Sequence, residues 1–353
     1  MKKILYVILS ISLFIGLFAG CSKKAELVEN DANLQFTTEA ENNEELNTDE
    51  NKSEESTSND NNAAENSDTN DTAEVSEVTI EHSKGTVTVS ADVKKAVVFD
   101  FGILDIMDAL KVEVEIAAPV SSLPSYLSKY ENVYNAGSIK EPDLEAIFEF
   151  EPDVIFIGAR QQDYYDQLSE IAPTIYVQTG ADTYLEDVKE NIGYVAQIFG
   201  KENNAKEAVN SLNSLVEEVK ALTANSDERV LIMLTNDGSI SVYGSGSRFG
   251  MVHDLLGAKA ADENIEASTH GQSVNFEYIA DVNPDIILVI DRTLVAGGTN
   301  TANTVLDNDL INGINAAKNN KIVSLDPDIW YLSGGGITST MQMITDVKNA
   351  FAN

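Results

Sequence analysis

One line is written twice in this chain. Residues 143–160 read DLEAIFEFEPDVIFIGAR, and residues 275–292 read NFEYIADVNPDIILVIDR. In each copy a glutamate (Glu145, Glu277) stands seven residues before a Pro-Asp pair (Pro152-Asp153, Pro284-Asp285). A short apolar run follows, and an arginine (Arg160, Arg292) comes eight residues after the proline. The apolar spacing makes the first part of each copy a short helix and the second part a buried strand. A repeat that keeps its charged ends as well as its apolar middle predicts two similar lobes. The cleft between such lobes is a natural place to bind a ligand.

The segments around the repeat extend that reading. VTIEHSKGTVTV (78–89) alternates around Lys84-Gly85 as a hairpin does. KAVVFD (95–100), VEIAAP (114–119), TIYVQT (174–179), RVLIMLT (229–235), SISVYG (239–244) and KIVSLD (321–326) read as strands. Helix-like GILDIMDAL (102–110), a helix at 162–170, FGMVHDLLG (249–257) and GITSTMQMITDVKNAFA (336–352) fall between and after them. Strands alternating with helices predict an α/β fold with mostly parallel sheets. Between the halves, YLEDVKENIGYVAQIF and NAKEAVNSLNSLVEEVKALT are separated only by Gly200-Lys201. Their apolar positions, such as Ala208, Leu212, Leu215, Val216 and Val219, share one helical face. The expected architecture is therefore two Rossmann-like lobes, residues 77–200 and 226–353, joined by one long rigid helix over 201–225.

The N-terminal part sets the expected compartment. Lys2 and Lys3 precede an uncharged apolar run from Ile4 to Phe18, and Ala19-Gly20-Cys21 follows. That is the pattern of a signal peptide over 1–20, with an apolar run short for a membrane span. Cys21 is the only cysteine, so an internal disulfide is excluded. The arrangement resembles a bacterial lipoprotein signal, in which the cysteine is lipidated and becomes the mature N-terminus. Phe18 stands where leucine is usual. Residues 21–76, rich in Asn, Glu, Asp, Ser and Thr, bury too little apolar surface to repay their ordering entropy and read as an acidic, disordered tether. Part of the net charge of −35 lies there, and the remaining domain is acidic as well. Acidity of this degree argues against a nucleic-acid partner and says little about a small ligand.

Four places carry candidate chemistry. Arg160 and Arg292 end the apolar strands of the two copies, where side chains face the crevice at the C-terminal ends of parallel strands. GSGSRFG (244–250) sets Arg248 among glycines before a helix, an arrangement suited to an anion or equally to an exposed loop. THGQS (269–273) places His270 in a polar turn. WYLSGGG (330–336) puts Trp330 and Tyr331 before three glycines. Those glycines are expected to let backbone and ligand approach, with Trp330 as an apolar plug. An acidic chain that places arginines at such positions is expected to bind an anion.

The lipobox, the repeated Glu-x6-Pro-Asp line, GSRFG, THGQS and WYLSGGG together resemble the catecholate-siderophore receptors of Gram-positive and related bacteria. These are class III periplasmic binding proteins of iron-siderophore ABC importers, of the catecholate or petrobactin-binding type, and the resemblance covers residues 77–353. It implies that Arg160, Arg248 and Arg292 surround an anionic ferric catecholate. It also implies that His270 and Tyr331 complete the iron coordination when the siderophore offers only four donors. Fe(III) favours anionic oxygen ligands, and arginine both neutralises and stacks on catechol rings. The resemblance gives Glu145 and Glu277 the role of docking on the permease, with Glu141 a competitor near the first copy. It further implies a lipid-anchored monomer with no cofactor of its own, which carries ferric iron as a siderophore complex.

Other readings remain within reach of the sequence. Haem or cobalamin binding on the same fold is one, although cobalamin lacks the concentrated negative charge that three arginines would match. A secreted metal-dependent enzyme is another, but the chain has no G-x-S-x-G, H-E-x-x-H or P-loop motif.

Overall fold

The computed structural model describes residues 76–352. The expected signal peptide, Cys21 and the tether up to residue 75 lie outside the described residues. The chain opens with the hairpin β1 (Glu77–His82) and β2 (Gly85–Ser90), which is antiparallel throughout. Then come β3 (Lys95–Val98), α1 (Phe101–Ala109), β4 (Glu115–Ala118) and β5 (Tyr134–Asn135), followed by α2 (Leu144–Phe150), β6 (Val154–Ile157), α3 (Tyr165–Ser169) and β7 (Thr174–Tyr176). The sheet runs β5-β4-β3-β6-β7, and every pair in it is parallel. Its central strands β3 and β6 are almost wholly buried, as expected where helices cover both faces.

Helices α4 (Tyr184–Phe199) and α5 (Glu202–Ala224) lead to the second lobe. Gly200 takes a left-handed conformation (φ 62°, ψ 45°) and ends α4, and α5 then runs over nearly the 201–225 span expected for the joining helix. Beyond α5 lie β8 (Arg229–Asn236), β9 (Ser239–Tyr243), α6 (Met251–Asp254), β10 (Lys259–Ala260), β11 (Gln272–Ser273), α7 (Phe276–Val282) and β12 (Ile286–Asp291). The short helices α8 (Thr293–Ala296), α9 (Ala302–Leu306), α10 (Asp309–Asn312) and α11 (Asn315–Lys318) precede β13 (Ile322–Leu325), and α12 (Ile337–Ala352) closes the chain. The second sheet runs β11-β9-β8-β12-β13. Its β8–β12 and β12–β13 pairs are parallel, while β9 folds back on β8 through Asp237-Gly238, both at positive φ. Among the described residues no helix is long and apolar enough to cross a membrane.

The doubled line is a doubled structure. Asp143 caps α2 by accepting from Ala146 N–H at 3.1 Å, and Asn275 caps α7 by accepting from Tyr278 N–H at 2.9 Å. Each helix ends on a left-handed residue, Glu151 (φ 52°) and Asn283 (φ 46°), and a proline then prevents continuation. The aspartate that follows ties the repeat's strand to its central neighbour. Asp153 Oδ2 accepts from the N–H groups of Lys94 (2.7 Å) and Lys95 (2.8 Å), at the start of β3. Asp285 Oδ2 accepts from Arg229 N–H (3.0 Å), at the start of β8. The Pro-Asp pair is thus a structural strut.

The closing helix does not stay with the second lobe. α12 packs on α5 and on α1 of the first lobe, and Lys348 pairs with Glu218 of α5 at 2.6 Å. One continuous apolar cluster includes Ile103 and Ile106 of α1, Val216 and Val219 of α5, and Ile344 and Val347 of α12. A shared apolar seam of this kind resists separation of the lobes.

Burial alone would raise the Asp285 carboxyl, but the Arg229 N–H, the Asn315 amide and the Arg229 charge outweigh it and hold it below the ordinary aspartate value. A carboxyl depressed in the folded state contributes stability that is present above its unfolded pKa and is lost as pH falls through the folded one. Asp285→Ala is therefore expected to cost about 2 kcal/mol at neutral pH. Thermal unfolding should show this as a Tm lowered by about 4 °C, with the deficit shrinking as pH falls through the depressed folded value, below the ordinary aspartate range.

Candidate ligand-binding site

Arginine is scarce here, with four in the whole chain at positions 160, 229, 248 and 292. Arg229 is structural: its guanidinium donates to the carbonyls of Val282 (3.2 Å) and Asn283 (2.6 Å) at the end of α7. The other three converge on Tyr331.

Arg160 stands on the 3₁₀ turn Ala159–Tyr164 that follows β6. Its Nη2 donates to the Tyr331 carbonyl at 3.1 Å and its Nη1 to the Leu332 carbonyl at 3.4 Å. Arg248 arrives from the loop after β9, donates to the same Tyr331 carbonyl at 2.6 Å, and places Cζ 4.3 Å from the centre of the Tyr331 ring. Arg292 follows β12 directly, with Cζ 5.3 Å from that ring. Tyr331 itself sits on a single π-helical turn, Asp328–Leu332, beyond β13. Such turns are rare, and here it sets the ring within reach of two guanidinium groups.

This cluster holds its charge without a salt bridge. Among the described residues, none of the three arginines takes part in an ion pair. Burial, and then the nearby charge of Arg160, push the Arg248 guanidinium below the ordinary arginine value. Arg292 Nε is buried and has no hydrogen-bond partner among the described residues. A buried donor left unpaired costs about 1–3 kcal/mol. Asp100, at the end of β3, is the carboxylate that faces Arg160. Burial pushes its carboxyl up, while the Ile103 N–H, the Arg160 charge and the Gly102 N–H pull it down. Its Oδ1 accepts from Gly102 N–H at 2.9 Å as the cap of α1. The arrangement can neutralise and stack on a planar polyanion.

His270 lies on the neighbouring loop. That loop is laced to Arg248: Arg248 N–H donates to the Ser268 carbonyl (3.4 Å), and the Tyr243 hydroxyl donates to the His270 carbonyl (3.0 Å). The imidazole is exposed and makes no hydrogen bond among the described residues. The structure thus brings Arg160, Arg248, Arg292 and Tyr331 together, and sets the His270 loop beside Arg248 with no hydrogen bond from the imidazole among the described residues. Tyr243 was not anticipated. It is 3% exposed and packs edge-on against Phe249 at 4.7 Å. Burial pushes its phenol up, against the pull of Arg248. The alternation of SISVYG marks it as a strand residue and carries no sign of the site.

In the loop before α6, Gly246 N–H donates to Asp254 Oδ2 at 2.8 Å, and α6 itself has only four residues. The close contacts of Gly335 and Gly336 include residues of the first lobe. A Cβ on Gly336 would meet Asp105 Oδ2 at 2.2 Å, and one on Gly102 of α1 would meet the Gly335 carbonyl carbon at 3.0 Å. Trp330 is the expected plug, 2% exposed, with Nε1 donating to Asp346 Oδ2 at 2.9 Å. Glu145 and Glu277 occupy matching exposed positions in the first turns of α2 and α7, at the far end of the repeat from its arginines.

A family model described as "Periplasmic binding protein" matches residues 97–329. The chain belongs to this family. It is 41% identical over 278 residues to the petrobactin-binding protein YclQ of Bacillus subtilis, covering 77% of this chain and 88% of YclQ. The crystal structure of YclQ superposes with a TM-score of 0.76 at 40% identity, covering 79% of this chain and 99% of that one. The ferric-anguibactin-binding protein FatB of Vibrio anguillarum is 34% identical over 283 residues, 78% of this chain and 87% of FatB. The periplasmic catecholate-siderophore binding protein VctP of Vibrio cholerae superposes with a TM-score of 0.72 at 31% identity, covering 78% of this chain and all of that one. The two α/β lobes of this family member match these structures over nearly their whole length.

Because Arg292 Nε is a buried, unpaired donor, Arg292→Met is expected to stabilise the ligand-free protein by about 1 kcal/mol. Denaturant unfolding should show this as a higher midpoint with an unchanged slope.

Proposed function

We propose that this protein captures a ferric catecholate siderophore, petrobactin-like or bis-catecholate, outside the cell membrane and delivers it to an ABC importer permease. The observation that carries the proposal is the convergence of three of the chain's four arginines on Tyr331. In a protein of net charge −35, a local concentration of unpaired guanidinium groups is suited to a multiply charged anion. Ferric catecholates are such anions, and their planar rings stack on guanidinium faces while their oxygens accept from them. The names of YclQ, FatB and VctP support the same class of ligand.

The residues then take the following roles. Arg160, Arg248 and Arg292 hold the anion, exchanging the Tyr331 carbonyl for phenolate oxygens. Tyr331 and His270 lend oxygen and nitrogen to the iron when the siderophore leaves two coordination positions open, and are dispensable when it fills all six. Iron is cargo, held within its siderophore. Cys21 carries the lipid that keeps the protein at the extracytoplasmic face of the cell membrane, and residues 21–76 are the tether. Glu145 and Glu277, one per lobe and symmetric in place, dock on the permease. The protein acts as a monomer and converts nothing chemically.

Fluorescence titration of the mature protein against a panel of ferric siderophores tests this. Tight binding of ferric catecholates, with quenching of the single tryptophan, is expected; tight binding of a bare divalent metal in their place would sink the reading. Tyr331→Phe should weaken a tetradentate bis-catecholate complex by about tenfold or more, worth about 1.4 kcal/mol, and leave a hexadentate one within about threefold, under 1 kcal/mol. Glu145→Ala and Glu277→Ala should leave binding unchanged while lowering siderophore-dependent iron uptake by cells. Normal uptake in the double variant would remove both residues from the docking surface.

A further inference from the structure

The segment that carries Tyr331 follows a strand of the second lobe, yet it is fastened to the first. Asp105, on α1, has no exposed surface and no cationic partner among the described residues. Its Oδ1 accepts from Thr338 N–H at 3.0 Å and its Oδ2 from Ser339 N–H at 2.8 Å, the first-turn donors of the 16-residue α12. An N-terminal helix dipole and two amides are what make a buried carboxylate tolerable there. The contact reaches back toward Tyr331 through hydroxyls. The Tyr126 hydroxyl lies 3.3 Å from Asp105 Oδ2 and 2.9 Å from Ser333 Oγ. Ser333 Oγ donates to the Asp328 carbonyl at 2.7 Å, at the start of the π-helical turn. Ser339 Oγ donates to the Ser333 carbonyl at 3.0 Å, and Ser125 N–H donates to Asp328 Oδ2 at 2.8 Å. Burial, and then the Asp105 charge, push the Tyr126 phenol up, so it stays a hydrogen-bond donor across the physiological range.

We infer that Asp105 is a positioning residue for the ligand site: acting through Thr338, Ser339, Tyr126 and Ser333, it sets where Tyr331 stands against the three arginines. It thereby determines which ferric complexes this protein accepts. Arg160 and Arg248 reach the Tyr331 backbone carbonyl, so a shift of the turn moves both the ring and the acceptor that holds the guanidinium groups. The phenol is more sensitive than the charges, because coordination requires placement within a few tenths of an ångström while charge attraction falls off slowly. Loss of the seat is therefore felt first by complexes that need the phenol. This inference rests on the proposed siderophore-binding function.

The test is Asp105→Asn, which keeps the size but replaces one of the two acceptor oxygens with an NH2 donor that faces a backbone N–H, together with the milder Tyr126→Phe in case the first fails to fold. Trp330, the only tryptophan, neighbours Tyr331 and reports on the seat without any ligand. A red-shifted emission is expected in both variants, and emission identical to the wild type in a folded variant would overturn the inference. With a bis-catecholate ferric complex as probe, a loss of about tenfold is expected, against less than about threefold for a tris-catecholate one. The loss should not add to that of Tyr331→Phe in the double variant. Equal losses for the two complexes, or additive losses, would mean Asp105 serves general stability only, and would overturn the positioning role. Should the wild type bind neither complex, the siderophore reading falls; the specificity claim falls with it, while an emission shift would still place Asp105 in control of the Tyr331 turn.

Discussion

A carboxylate with no exposed surface joins the two halves of this protein at the start of its last helix. Asp105 belongs to the first lobe by sequence and packing, and the amides it holds belong to the end of the chain. Its unusual burial is made tolerable by the N-terminus of α12, and the approach is close enough that Gly336 has no room for a side chain. Around this contact runs the apolar seam of α1, α5 and α12. The cleft is therefore built against a fixed joint, and the turn carrying Tyr331 inherits its position from both lobes at once.

The second constraint is charge. An acidic chain that gathers three unpaired guanidinium groups beside one tyrosine accepts a local penalty, visible in the lowered Arg248 value and in the orphaned Arg292 Nε. Function and stability oppose each other at such places. The Tyr331 carbonyl eases the strain by accepting from Arg160 and Arg248, and its ring takes two guanidinium groups on its π system. These are neutral partners, which an anion can displace.

Much of this was legible in the sequence. The strands were readable because their apolar runs are buried on both faces, and the repeat was readable because its cap, proline and aspartate each do a local job. Arg160 and Arg292 could be placed because strand ends face crevices. Other features escaped. Residues 249–257 read as one helix, but only Met251–Asp254 is helical and turns flank it. Tyr243 looks like any strand aromatic until the sheet is folded. The contact of Asp105 with the backbone at Gly336 likewise left no sign in the run of glycines before α12.

The sequence by itself determined the α/β alternation, the twofold repeat, the scarcity of arginine and the candidate residues, since each follows from local periodicity, capping or composition. Only the tertiary structure decided that Arg160, Arg248 and Arg292, spread across 133 residues, meet at one tyrosine, that the His270 loop lies beside Arg248, and that Asp105 is a joint between lobes. Those facts depend on contacts between segments far apart in the chain. No local pattern encodes a distance across a cleft; it is fixed by how two sheets and three helices share one core.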